Sequence, residues 1–149
     1  MMNAPFALER NRADAAEVSA HLRACDASFV PPLGERVDLD AYAAKIVAQA
    51  ERFEAWAGDS LAGLVAAYCN DPTRRIAFVT SVSVLPARQG HGLASRLLQD
   101  CIADVRRAGF ERVELEVDSH NAPAARLYRK FGFEPAGAHD RTQRLRLTV

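Results

Sequence analysis

From Val82 to Leu98 the chain reads Val-Ser-Val-Leu-Pro-Ala-Arg-Gln-Gly-His-Gly-Leu-Ala-Ser-Arg-Leu-Leu. This is the end of a strand, a glycine-containing turn and the first turns of a helix. Gly90 and Gly92 let the backbone take positive φ or come close to a ligand. Beyond them Leu93, Leu97, Cys101 and Val105 recur at helical spacing, with Ala94, Leu98 and Ile102 in the adjacent row. That helix has one broad apolar face and must lie on something apolar. Ala108-Gly109-Phe110 stops it, and Arg112 to Val117 alternates as a strand, Val113, Leu115 and Val117 on one side, Glu114 and Glu116 on the other. Strand, helix, strand implies a parallel crossover between the two strands. The unpaired N–H groups and partial positive charge at a helix start can hold a phosphate. A glycine-rich connection with no ligand has the same look, so the turn alone leaves both readings open.

The chain before this unit divides in two. Phe6 to Arg10 reads as a short strand, and Ala13 to Cys25 as a helix with Ala15, Val18, Leu22 and Cys25 on one face. Phe29-Val30-Pro31-Pro32-Leu33-Gly34 breaks it. A second helix follows from about Asp38, a natural N-cap, to Ala50, lined by Leu39, Tyr42, Ala43, Ile46 and Val47. The pattern then turns to strands: Phe53 to Ala57, Leu61 to Cys69 after a Gly58-Asp59-Ser60 turn, and Ile76 to Val84 after Asn70-Asp71-Pro72-Thr73-Arg74. In the third, strict alternation puts Phe78, Thr80, Val82 and Val84 on one face and Val79, Ser81 and Ser83 on the other. Past the crossover, Asn121 to Phe131 is a short helix carrying Ala124, Leu127, Tyr128 and Phe131, Gly132 ends it, and a last strand lies near Arg144 to Thr148. The expected class is mixed α+β, with an antiparallel first half and a parallel centre, in one domain spanning 1–149.

Lys plus Arg equals Asp plus Glu at 19 each, so nothing global points to nucleic acid or an anionic membrane. The three cysteines, Cys25, Cys69 and Cys101, are widely spaced within apolar patterns, which reads as packing and free thiols in a reducing compartment. The four histidines have no metal-ligand spacing with one another or with the cysteines, so no metal is expected. The first ten residues lack a basic segment followed by an apolar run, and no apolar stretch is long enough to span a bilayer. A cytoplasmic location is the resulting expectation.

Two segments together resemble one superfamily, the GNAT N-acetyltransferases. Gln89-Gly90-His91-Gly92-Leu93-Ala94 fits the family's signature Gln/Arg-x-x-Gly-x-Gly/Ala through Gln89, Gly92 and Ala94. Leu115 to Phe133 looks like its other hallmark: a strand, then Asn121-Ala122-Pro123-Ala124, Leu127-Tyr128 and Gly132-Phe133. The two occur in order across about half of the chain, from Ile76 to Phe133. The resemblance implies a GNAT-like mixed sheet whose parallel pair splays, and acetyl-CoA as cosubstrate. It implies that the pantetheine arm pairs with backbone at Val82, Ser83 and Val84, and that the pyrophosphate rests on the amides of Gln89, Gly90, His91, Gly92, Leu93 and Ala94. By the same resemblance Tyr128 lies near the acetyl-CoA sulfur and serves the leaving thiolate. Tyr128 also fits as a plain core aromatic at helical spacing. Asn121 is both a natural helix cap and, by resemblance, a cofactor contact. Arg88, Arg126 and Arg129 are candidates for the 3′-phosphate and equally for solvated surface arginines. His91 sits at a variable position of the signature.

Many similar enzymes carry a Glu on the strand before the turn as general base. Ile76 to Val84 has none, which leaves water relayed through Thr80, Ser81 or backbone carbonyls, or the distant Asp71. Phe29, Val30, Pro31, Tyr42, Tyr68 and Asn70 are the candidate acceptor-site residues, mostly apolar or neutral. The leading expectation is acetyl transfer to the primary amine of a small molecule. An amino sugar is one option, because Tyr68 to Asp71 followed by Thr80 to Val84 looks like GNAT proteins of surface-polysaccharide pathways. Two alternatives stand beside it: a ribosomal-protein-type N-terminal acetyltransferase, to which Leu115 to Phe133 is similar, and a non-catalytic acyl-CoA-binding module. Many similar proteins dimerise through their C-terminal strands, which extends the expectation to a homodimer.

Overall fold

The computed structural model describes residues 6–149, so the leader reading, which begins at residue 1, lies partly outside the described residues. The elements are β1 (Ala7–Arg10), α1 (Ala15–Cys25), α2 (Leu39–Gln49), β2 (Glu51–Ala57), β3 (Ser60–Tyr68), β4 (Ile76–Val84), α3 (Leu93–Arg107), β5 (Arg112–Asp118), α4 (Ala122–Lys130), β6 (Glu134–His139) and β7 (Thr142–Thr148). The helices start where side chains supply the missing partners. Asp14 accepts from the Glu17 amide and Glu17 returns a bond to the Asp14 amide, a reciprocal cap; Asp38 accepts from the Ala41 amide.

The strands form one seven-stranded sheet in the order β1-β2-β3-β4-β5-β7-β6. Only β4 and β5 run parallel, joined through α3; every other neighbour is antiparallel. One face of the sheet is covered by α3 and α4, through Leu93, Leu97, Leu98, Cys101, Ile102, Val105 and Tyr128. The other is covered by α1 and α2, through Val18, Leu22, Ala43 and Ile46 against Trp56, Leu64 and Ala66. Gly63 on β3 is needed for close approach: a Cβ there would stand 3.1 Å from Leu97 Cδ1 of α3. Gly63→Val should therefore overpack this contact and destabilise the fold by about 1–3 kcal/mol, read from the urea midpoint.

Buried between β1, β2 and α1 is Glu54. It accepts from the Arg12 amide at 3.0 Å, the Ala13 amide at 3.2 Å, Arg52 Nε at 3.1 Å and Trp56 Nε1 at 3.0 Å. Arg52 spends a further N–H on the Ala13 carbonyl at 2.8 Å. A charged pair this far from water persists because nearly every polar atom of it is engaged. Its effect is to clamp the entry to α1 onto the sheet.

Two expectations need correction. The segment after Phe133 holds two strands rather than one. Pro135 and Gly137 weaken the strand signal of β6, and the pairing with β7 shifts register between them. Such residues are tolerated because β6 is an edge. The second correction concerns β4, whose alternation is broken. Ala66 faces Ser81 while Ala67 faces Val79, so Thr80 has no opposite number on β3. This bulge reverses the side-chain phase. Ala77 and Val79, then Val82 and Val84, all pack on the α3 side. Ser83 instead reaches α1 and Thr80 reaches α2.

Candidate active site

β4 and β5 pair from Ile76/Arg112 to Val79/Leu115 and then part, although β4 continues to Val84 and β5 to Asp118. The gap opens into a cleft of about 1080 Å³. Its walls are the separated strand ends, the start of α3, the inner side of α4 and the loop between α1 and α2. Along β4 the ladder decides which backbone groups face the gap. The Leu85 amide bonds the Ala62 carbonyl at 2.8 Å, on the β3 side. Alternation then turns Ser83 and Ser81 toward β3, and Val82 and Val84 toward the gap. The Val84 carbonyl takes Gln89 Nε2 at 3.3 Å. What remains open to an extended ligand is the N–H and C=O of Val82 and the N–H of Val84. Ser83 is also among the residues that border the cleft.

At the cleft mouth Gly92 is the N-cap of α3, at φ +74°, and contributes no capping side chain. The first helical bond runs from the Arg96 amide to the Gly92 carbonyl at 3.0 Å, leaving the amides of Leu93, Ala94 and Ser95 without helical partners. Gln89, Gly90, Gly92, Leu93 and Ala94 line the cleft. His91 is exposed outside it, its ring 6.1 Å from that of Phe6. Arg88 lines the cleft with its guanidinium 5.7 Å above the Phe6 ring. Arg126 and Arg129 are exposed on α4 and are not among the lining residues.

Tyr128 projects from α4 into the cleft between the strand ends. Its ring stands edge-on to Phe133 at 5.9 Å, which fixes it in the α3-side core. The phenol makes no hydrogen bond among the described residues, and burial pushes its pKa up to about 12, so it keeps its proton. Asn121 caps α4, accepting from the Ala124 amide at 3.2 Å, and its side chain also borders the cleft. Asp118 shapes the same turn. It accepts from the His120 amide at 2.8 Å and from Arg141 at 3.2 Å, which hold its carboxyl below the usual range. Glu116 and Asp140 are exposed carboxylates that also border the cleft.

Of the candidate acceptor-site residues, the structure gathers Phe29, Val30, Pro31 and Tyr42 on the cleft. Tyr42 is held rigidly, its hydroxyl 2.7 Å from the Thr80 carbonyl and 2.6 Å from Thr80 Oγ1. Burial pushes its pKa up to about 12. Tyr68 and Asn70 are not brought there. The Tyr68 ring lies under Lys45 Nζ at 5.2 Å with its hydroxyl buried, and Asn70 follows at the far end of β3. Asp71 is also excluded as a base. It caps its own turn through the Thr73 hydroxyl and the amides of Thr73, Arg75 and Ile76, which lower its pKa to about 2. It precedes the end of β4 that is paired with β5, away from the gap. Residue-by-residue reading missed one feature of the cleft, the bond between His21 Nε2 and Ser83 Oγ at 2.9 Å. The partners are 62 residues apart, and no local pattern announces them.

The sequence profile of the Acetyltransferase (GNAT) family matches residues 18–133. A mycothiol acetyltransferase of Brachybacterium faecium is 42% identical over 65 residues, 44% of this chain and 20% of that protein. The [ribosomal protein bS18]-alanine N-acetyltransferase assigned provisionally in Bacillus subtilis is 33% identical over 59 residues, 40% of this chain and 39% of that protein. The chain thus spans 20% to 39% of the length of these two relatives. Among solved structures, yncA from Salmonella typhimurium, described with its cofactor acetyl-CoA, superposes with a TM-score of 0.74 at 22% identity, over 97% of this chain and 94% of that one. At that identity the likeness concerns the fold. Among the described residues, no group of three or more His, Cys, Asp or Glu side chains gathers where a metal ion could be held.

Proposed function

The chain belongs to the acetyltransferase (GNAT) family, and from that premise we propose that it transfers the acetyl group of acetyl-CoA to a primary amine of a small molecule. The observation that carries this is the parting of β4 and β5, which opens the main-chain groups of Val82 and Val84 onto the same cleft as the uncapped start of α3. An extended arm bearing amides would pair with Val82 and Val84, and a pyrophosphate would take the amides from Gly90 to Ser95. Acetyl-CoA supplies an activated acyl thioester.

The chain's own groups then have distinct tasks. Val82 and Val84 orient the donor, while Phe29, Val30, Pro31 and Tyr42 form the acceptor-side wall and exclude water. Tyr128 holds a proton at its phenol oxygen, ready for the departing thiolate. Its raised pKa keeps that proton in place at neutral pH. Tyr128→Phe should lower kcat about a hundredfold while the acetyl-CoA dissociation constant moves less than about twofold. Stopped assays of thiol release, with calorimetric binding in parallel, would check both numbers.

Small-molecule amines are favoured by a mostly neutral, apolar wall and by likeness to a protein named mycothiol acetyltransferase. An amino sugar is the first acceptor to try. The second reading, acetylation of a protein N-terminal alanine, draws on the Bacillus relative. Incubation with acetyl-CoA and either glucosamine or an alanine-ended peptide separates them by mass: 42-dalton-type acetyl addition to one and not the other decides, on the order of one acetyl per acceptor. Acetyl-CoA binding with no transfer to any amine would leave a binding module. The same proposal includes residues 1–149 acting as one catalytic domain, a cytoplasmic setting suited to three free thiols, and pairing of two copies through the C-terminal strands, which sedimentation would test.

A further inference from the structure

An ammonium has no lone pair, so an acceptor must lose a proton before its nitrogen can attack. β4 carries no carboxylate, and Asp71 is spent on its turn. What the cleft offers instead is built on the α1 side of β4. Ser81 and Ser83 follow the bulge two residues apart and face the same way, opposite Ala66 and Leu64 of the α1–α2 core. Both are buried and both border the cleft. Ser81 Oγ is fully buried and has no hydrogen-bond partner among the described residues.

The behaviour of Ser83 follows from His21. The imidazole is 3% exposed. Its Nδ1 lies 2.8 Å from the Leu61 carbonyl, which can only accept, so Nδ1 carries the hydrogen. Nε2 then has a lone pair, and at 2.9 Å from Ser83 Oγ it receives the Ser83 proton. That leaves the lone pairs of Ser83 Oγ for the cleft. Three elements supply the polar atoms around the imidazole: Cys25 from α1, with Sγ 3.6 Å from Nε2, the Leu61 carbonyl from β3, and Ser83 from β4. Burial lowers the His21 pKa, partly offset by the Leu61 bond, and no charged side chain contributes. Burial likewise pushes the Cys25 thiol up to about 11, so it stays neutral and is no rival base.

We propose that Ser83 and His21 are the proton path for the acceptor amine. The proposal rests on the acetyl-transfer reading and adds to it the identity of the base. The acceptor's ammonium donates to Ser83 Oγ, whose own hydrogen moves to His21 Nε2. The N–H bond of the ammonium breaks and an N–H bond forms on the imidazole. The acceptor becomes a neutral amine, His21 an imidazolium, and nothing is oxidised or reduced. After turnover the proton returns to solvent by the same hydroxyl. Ser83 is the catalytic residue of the pair, and His21 acts through it.

Two measurements test this on the full chain. In nitrogen NMR of histidine-labelled protein with acetyl-CoA bound, His21 should be the neutral Nδ1–H tautomer at pH 7, and Ser83→Ala should move the Nε2 signal. An Nε2–H tautomer, or an imidazolium at that pH, would overturn the path. In kinetics with whichever of glucosamine or the alanine-ended peptide is acetylated, Ser83→Ala and His21→Gln should each lower kcat about a hundredfold at pH 7. The deficit should shrink as pH rises toward the acceptor's own pKa, because a base is needed only while the amine is charged. A deficit equal at every pH, or loss of the acidic limb only in Glu116→Gln, would sink it. Unfolding and acetyl-CoA binding are measured on each variant, and Ser83→Ala carries the test if the buried His21→Gln does not fold. Wild-type protein that acetylates no amine overturns the acetyl-transfer reading and the path with it. Turnover with an unchanged Ser83→Ala pH profile overturns the path alone.

Discussion

Ala94→Glu should leave the ligand-free protein at least as stable as wild type and abolish its stabilisation by acetyl-CoA. Ala94 lies in the first turn of α3, which has no acidic residue and no capping side chain. A carboxylate there meets the positive end of the helix and should add about 0.3–1 kcal/mol of stability. The same charge would occupy the amides proposed to hold the pyrophosphate and repel it. Wild-type protein at a hundredfold excess of acetyl-CoA over its dissociation constant should gain about 2.7 kcal/mol. Thermal unfolding with and without acetyl-CoA reads both effects at once. A variant that is stable but no longer shifted by ligand supports the site, whereas one shifted as far as wild type removes the phosphates from the start of α3. Gly92→Glu attacks the same place less cleanly. Its backbone sits at φ +74°, where an L-residue adds about 1–2 kcal/mol of strain of its own.

Glu54→Ala should destabilise the fold by about 3–5 kcal/mol, because it strands the Arg52 guanidinium and two backbone amides away from water. Against a total of about 5–15 kcal/mol for a domain, that is a large share. The urea midpoint should fall with little change in slope. Glu54→Gln, which keeps an acceptor oxygen for part of the network, should lose distinctly less. Equal loss in both variants would mean that the charge, not the acceptor geometry, holds the clamp. The consequence reaches the site, since Glu54 fixes the entry to α1 and α1 carries His21.

Much of the fold was legible because it is written locally. The apolar spacing of α3, the cap at Asp38 and the alternation of β5 each depend on contacts within a few residues. The crossover from β4 to β5 followed from element order, and the likeness of two motifs pointed to the family that the profile match shows. Within the site, Val82, Val84, the turn from Gln89 to Ala94, Asn121 and Tyr128 were all within reach of sequence reading, and all but His91 border one cleft.

What sequence could not supply depends on two distant segments at once. β6 is weak in strand formers and exists because β7 pairs with it. Tyr68 and Asn70 were candidate acceptor-site residues alongside Tyr42 but do not line the cleft. The bulge at Thr80 is a property of β3 and β4 together, and strict alternation along β4 alone puts half of its side chains on the wrong face. That single unpaired residue turns Val82 and Val84 to the core and Ser83 toward His21. Periodicity within one segment determines which element forms and which side is apolar. Register between segments, set by hydrogen bonds that no one segment contains, decides which polar atoms meet, and here it brings a hydroxyl on β4 to an imidazole on α1.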